Sequence, residues 1–428
     1  MGHSALHAPV TPLAVALLAR LLAAIALGTL HHPELYETED IVRNWKSGPG
    51  LAFDYLGTTY YTYHTFLPST LIYAVVHWLS DGNPTANLVV QWLFAILLCW
   101  AGGWLGQRLG GPAVATLARW LIALHPALVI YDATKLQQIT FDAAMVLLAL
   151  IAYVRWVERP GLRPAIASGV LMGVLMYERG SLLLFFPLAL WWVKCVSRMN
   201  WQDWIRQATL SALIAALLLA PWVIRNQWLY QRFVPMTSTT WMILWIVNNE
   251  NATGTECMRD GRPFMLNLPD PLKQALARKT ELEQAQVFRE ATLAAIGSQW
   301  GRVAWRHLQR LGYFWWRSPS TGLTYPRLWT PVYQVYYAGL LGFALLGVCT
   351  LRAQDSPAWA LGKLILSLAL ALSVLQASFY VAGRHRLIVE PSLLLLTAVG
   401  LLSASCPNCR GGCRQRPIPE SSNRWNLS

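Results

Sequence analysis

Four carboxylates fall within seven residues near the start of the chain: Glu34, Glu37, Glu39 and Asp40. An acceptor hydroxyl is a poor nucleophile at neutral pH, and a carboxylate within hydrogen-bond reach can take its proton during attack. Glu37 stands three and four residues before Asp40 and Ile41, so on a helix an acid and an apolar side chain share one face. That pattern suits an amphipathic helix on a bilayer with its carboxylates toward a cavity; an ordinary solvated turn would use the same residues. Asp142 lies one residue into the apolar run that starts at Phe141. It is either a charge at a helix N-terminus or a functional acid, because an ionisable group entering an apolar span is costly. Glu178 and Arg179, between two short apolar runs, read as a self-neutralising membrane pair, or else as lining the same cavity.

Cations come from two other places, Arg225 followed by Asn226, and Arg384 and Arg386 on either side of His385. A guanidinium presents a fork of donors matched to phosphate oxygens, and at a membrane boundary it could hold a lipid phosphate whose tail stays in the bilayer. Interfacial snorkelling would also place arginines there. Between acids and cations lies the stretch 57–68 with Tyr60 and His64, whose rings serve either as interfacial anchors or as a stacking surface for a sugar. The tail holds Cys406, Cys409 and Cys413, a zinc-like start with no fourth ligand nearby, so no metal site is assigned.

The elements that must carry these groups follow from composition. Of 428 residues 55% are hydrophobic and 13% charged, more apolar side chain than one soluble core can hide. The chain is predicted to be an all-α polytopic membrane protein. Its net charge of +13 contains no basic block suited to nucleic acid and resides largely in short connections. The run 12–30 lacks a basic n-region and cleavage site and is expected to be a retained first span. The run 66–79, about 14 residues and ~21 Å as a helix, is too short to cross and is expected in the outer interface. About ten spans then alternate so that Arg and Lys in the short loops face the cytoplasm. The expected organisation is 1–224, an N-terminal transmembrane region with its acidic first exterior loop at 31–83; 225–330, an exterior segment with helical periodicity; 331–403, C-terminal transmembrane helices; and 404–428, a disordered cytoplasmic tail.

Three ordered pieces carry a resemblance: 36–44 (YETEDIVRN) with 48–51 and 56–60; 221–226 (PWVIRN) with 232–235 and 248–254; and 384–391 (RHRLIVEP). Together they resemble glycosyltransferase family 39, the clan C membrane enzymes that include protein O-mannosyltransferases and lipid A aminoarabinose transferases, over about residues 13–402. The resemblance implies an inverting glycosyltransferase that takes a sugar from a polyprenyl-phosphate donor. It passes the sugar to a lipid, protein or polysaccharide acceptor on the periplasmic face of the bacterial inner membrane. By position the family's acid falls on Glu34, Glu37 or Glu39, of which Glu37 is taken as the base with Glu39 second, and Asp142 matches the second exterior acid. Arg225, Arg384 and Arg386 would hold the donor phosphate, and Tyr60, His64 and Asn226 would line the cavity. The family's early acid is often Asp where this chain has Glu, and its His-Pro-Pro-like element is here 64–68 (HTFLP). No cofactor is assigned, and a divalent cation is left open as an assistant. A ligase moving whole glycans, or a flippase of lipid-linked sugars, are the rivals. Arg20, His125 and Lys363, within spans, speak for the flippase unless they snorkel to the cytoplasmic end.

Overall fold

The computed structural model describes residues 10–48, 50–64, 68–258, 262–319, 329–354 and 357–405. The tail cysteines and most of the expected cytoplasmic tail therefore lie outside the described residues. Helices dominate: α1 (Val10–Ala26), α2 (Glu37–Ser47), α3 (Pro68–Leu79), α4 (Pro84–Ala123), α5 (Pro126–Thr134), α6 (Ile139–Glu158), α7 (Leu162–Glu178), α8 (Phe185–Val196) and α9 (Trp201–Tyr230) form the first part. Then come α10 (Thr240–Asn248), α11 (Asp270–Leu276), α12 (Glu281–Ser298), α13 (Trp300–Trp315), α14 (Trp329–Ala353), α15 (Pro357–Gln376) and α16 (Glu390–Ser405). A hairpin of two three-residue strands, β1 (Phe53–Tyr55) and β2 (Thr58–Tyr60), is the one sheet among the described residues. The fold is all-α and polytopic, as expected.

Five helices, α4, α6, α9, α14 and α15, are long and apolar enough to cross a bilayer by length and composition. The 40-residue α4 is two helices joined at a kink: Gly110 and Gly111 leave helical geometry and Pro112 opens the second half. Gly111 has φ +79°, a conformation that a side chain disfavours. Shorter apolar helices, α1, the segment Gly180–Val196 and α16, supplement these five. The expected interfacial helix is α3, whose 12 residues reach only ~18 Å.

Helix α6 is apolar around its whole circumference and almost every residue on it is buried, so it forms the centre of the bundle. Helices α14 and α16 touch backbone to backbone, since a Cβ on Gly347 would meet the Leu396 carbonyl oxygen at 2.1 Å and one on Gly400 the Phe343 oxygen at 1.9 Å. Small residues at such crossings permit close van der Waals packing where lipid removes the hydrophobic drive. Helices α10 to α12 gather a separate small core of Met242, Trp245, Phe264, Leu276 and Phe288, against which Tyr55 and Tyr63 of the first loop pack.

The apolar run 113–131 does not form one continuous helix. The chain leaves the helix at Leu124, and His125 caps the new helix α5 through its Nδ1, which accepts the Leu128 N–H at 3.3 Å. Proline at position 126 cannot donate to the preceding turn, so a break here follows from the sequence.

Candidate functional site

The acidic stretch folds as α2, preceded by an extended Tyr36 and closed by Gly48. Its three glutamates have different fates. Glu34 forms an isolated parallel bridge with Lys135, its carboxylate takes the Lys135 ammonium, and Tyr36 donates to it at 2.7 Å. Burial works to raise the Glu34 pKa, but the Lys135 and Tyr36 hydrogen bonds prevail and hold it below the usual value. Glu39 accepts from Tyr73 at 2.6 Å and Arg43 at 3.3 Å and lies 3.5 Å from His77 Nδ1, so it pins α2 to α3. Glu37 accepts no hydrogen bond among the described residues.

Glu37 nonetheless acts on its surroundings. Burial, then its charge, pushes the Tyr55 hydroxyl up to about 12, and the same causes raise Tyr63. His64 is held below its ordinary value by burial and by the Arg179 charge, against the pull of Glu37. The rings pack closely, with centroids 5.2 Å apart for Tyr55 and Tyr63 and 4.8 Å for Tyr63 and His64. The Glu37 charge is thus near enough to this aromatic cluster to act on it.

Asp142, in the first turn of α6, is completely buried; its Oδ2 accepts from Arg179 Nε at 2.7 Å and its Oδ1 has no partner. Glu178 turns away from its neighbour and accepts the Ser69 N–H at 2.7 Å and the Ser69 hydroxyl at 2.8 Å. The expectation of a self-neutralising Glu178–Arg179 pair is therefore corrected. Successive residues at a helix end project in different directions, and each reaches a different element. The Arg179 charge also bears on His64 and His385, so it lies between the first loop and the turn at Gly383–Ile388.

The cations separate. Arg384, with 18% of its side chain exposed, lies 3.9 Å from Glu256. Burial would depress its pKa, but Tyr380, Tyr131, Glu256 and Tyr36 around it raise it. Its charge also bears on Glu34, so Arg384, Lys135, Glu34 and Tyr36 share one end of the site. Arg386 is only 4% exposed: Nε donates to Glu390, Nη1 donates to the Phe314 carbonyl at 3.2 Å, and the guanidinium covers the Tyr337 ring at 3.6 Å. That guanidinium is engaged within the bundle. Arg225 donates to the Tyr61 carbonyl at 3.2 Å and the Asn226 side chain at 2.9 Å, beside Trp222, and is not brought together with Arg384.

Tyr60 and Asn226 act as ties. Tyr60 donates to Gln284 of α12, and the buried Asn226 amide donates to the Val234 carbonyl at 3.0 Å. Two further corrections concern the span residues. Arg20 does not snorkel; it is fully buried and donates to Asp132 at 2.7 Å. His125 is likewise buried, its Nε2 3.0 Å from Glu390. Among the described residues no group of three or more His, Cys, Asp or Glu converges to hold a metal.

Sequence reasoning passed over Lys135, Asp132 and Glu281. Glu281 follows Thr280, which with Glu283 forms a capping box. That signature places a helix start there and was readable in the sequence.

No family model matches the sequence, and no curated protein matches it. Solved structures do. The Archaeoglobus fulgidus oligosaccharyltransferase in complex with Zn and sulfate superposes with TM-score 0.52 at 11% identity, over 92% of this chain and 50% of that one. The archaeal oligosaccharyltransferase AglB from Archaeoglobus fulgidus, with an inhibitory peptide and a dolichol-phosphate, gives TM-score 0.50 at 13% identity, over 96% and 52%. ArnT from Cupriavidus metallidurans, bound to undecaprenyl phosphate, gives TM-score 0.42 at 15% identity, over 96% and 81%. The chain spans about half the length of the oligosaccharyltransferase. The chain shares the fold of these oligosaccharyltransferase structures, in keeping with the fold that the resemblance in its sequence implied.

Proposed function

We propose that the protein transfers a sugar from a polyprenyl-phosphate donor to an acceptor hydroxyl at the outer, periplasmic face of the inner membrane. The observation that carries this reading is Glu37: alone of the three glutamates in its motif it has no hydrogen-bond partner among the described residues, and its charge acts on Tyr55, Tyr63 and His64.

In this reading the Glu37 carboxylate takes the acceptor proton while the acceptor oxygen bonds to the anomeric carbon. The bond from that carbon to the phosphate oxygen breaks, and its electron pair leaves with the lipid phosphate. Direct displacement inverts the anomeric centre. The leaving group is already good, so the protein's task on that side is to stabilise growing phosphate charge. Arg384, partly exposed and beside the Lys135 and Glu34 pair, serves there. The Arg179 and Asp142 pair orients the sugar or the acceptor, with Glu178 anchoring Ser69 next to it. A second reading, transfer of a whole glycan, draws on the likeness to oligosaccharyltransferases, and differs in accepting donors with long glycans.

The experiment is transfer of radiolabelled sugar from a panel of polyprenyl-phosphate sugars by the protein in lipid, beside Glu37→Gln. Release of label by the wild type, with a rate about a hundred- to ten-thousand-fold lower in the variant, supports the reading. Full activity of Glu37→Gln moves the base elsewhere, and donor bound in both without turnover favours transport.

A further inference from the structure

We propose that the cleft between α3, α4 and the start of α6 binds an uncharged, hydroxyl-bearing membrane lipid, and that this lipid is the acceptor; the inference rests on the function proposed above. The cleft is half open: its enclosed space is about 50 Å³, and the opening around it brings the total to about 470 Å³ including solvent. Its polar end is formed by Thr38, Asn87, Gln91 and Gln138, and its apolar wall includes Val90 and Phe94. None of the residues lining it carries a charge.

Three features select the ligand. A phosphate taken from water into such a cleft would lack the cations that compensate its charge, since Lys135 and Arg384 are engaged at Glu34 and Glu256 and do not line it. Hydroxyls, by contrast, match amides and hydroxyls as both donors and acceptors. Asn87 is 4% exposed and its Nδ2 has no partner, a donor left for a ligand oxygen. Finally, Val90 and Phe94 share one face of α4, six and ten residues into a membrane-spanning helix, or roughly 9 and 15 Å along its axis. The lining contributed by α4 therefore runs from Asn87 to Phe94, about 10 Å along the axis of a membrane-spanning helix.

The cleft also adjoins the proposed chemistry. Thr38 follows Glu37 in the chain, Phe141 precedes Asp142, and Ser69, another lining residue, holds Glu178. A lipid seated there brings its hydroxyl to the acids, while the donor phosphate approaches from the end where Arg384 lies.

The test uses the full chain in lipid nanodiscs and a glucosyl diacylglycerol carrying a diazirine in its acyl chain, with crosslinks located by mass spectrometry. Labelling is expected on α3 and α4, unaffected by excess farnesyl phosphate and reduced to background in Val90→Trp, which fills the cleft. Asn87→Leu removes an unpaired buried amide, so it should leave the melting temperature unchanged or raised while lowering labelling about fivefold. Labelling that survives Val90→Trp, or that farnesyl phosphate abolishes, overturns the proposal. Should Val90→Trp fail to fold, unchanged labelling of Asn87→Leu overturns it. In the transfer assay, Val90→Trp should raise the KM for the glucosyl lipid and not for the donor; the reverse assigns the cleft to the donor chain. A wild type that transfers no sugar from any donor refutes the proposed function and leaves the labelling result standing.

Discussion

At the scale of residues, the site is defined by which charged groups already have partners. Glu34, Glu39, Glu178 and Arg386 are each satisfied by neighbours, whereas Glu37 accepts no hydrogen bond among the described residues and one oxygen of Asp142 is buried without a partner. A satisfied ion pair is a poor base or phosphate ligand, because its partner must first be given up. The two arginines of the RHR motif therefore separate by experiment. Arg384→Ala is expected to raise the KM for donor by about tenfold, the loss of one charge-assisted contact, with folding intact. Arg386→Ala leaves Glu390 short of its guanidinium in the bundle interior and is expected to lower the melting temperature sharply in lipid. Equal effects of both on donor KM would return Arg386 to the phosphate site. The turn's geometry explains why sequence alone could not separate them: Gly383–Ile388 is a 3₁₀ helix, each residue advances about 120°, and residues two apart reach different partners, Arg384 Glu256 and Arg386 Glu390.

At the scale of elements, one carboxylate joins four parts of the exterior face. Glu281, 3% exposed at the start of α12, accepts the Tyr61 N–H at 2.8 Å, the Thr62 N–H at 3.0 Å and the hydroxyls of Thr62, Tyr230 and Ser238. The first loop, the end of α9, the start of α10 and α12 thereby become one unit, and His64 next to that loop inherits its position. Charge-assisted hydrogen bonds contribute more than neutral ones. Glu281→Gln replaces one acceptor oxygen by a donor facing donors, with an expected cost of about 2–4 kcal/mol. Thermal unfolding in nanodiscs measures this, and hydrogen exchange at the Tyr61 and Thr62 amides should quicken; protected amides in the variant would mean the loop is held by packing instead. Helical periodicity in the exterior segment was legible because it is local, and so were the short α3 and the amphipathic α2. The Glu281 contacts join residues more than two hundred positions apart, and no spacing rule reveals such a partner.

At the scale of the whole molecule, the short helix α5 ties the bundle to the exterior loop. At its start His125 reaches Glu390 of α16, near its end Asp132 takes Arg20 of α1, and just beyond it Lys135 takes Glu34. The apolar windows in the sequence disclosed where long apolar helices fall, since lipid demands long apolar runs. They could not disclose these ties: an arginine inside a span reads equally as a snorkelling residue or as half of a pair, and its partner lies 112 positions away. The Arg20 and Asp132 pair is fully buried, with Thr140 and Gln91 donating further bonds to the carboxylate. Removing one member leaves a lone charge in a low-dielectric interior, whereas removing both leaves only polar and apolar groups. Arg20→Met is accordingly expected to lose about 3–5 kcal/mol of stability, and Arg20→Met with Asp132→Asn to recover most of it. Sugar transfer by the double variant then separates two roles for the tie. Activity restored along with stability makes the pair a means of seating α5; stability restored without activity shows that its charges also set the position of Lys135 and Glu34 beside the donor phosphate.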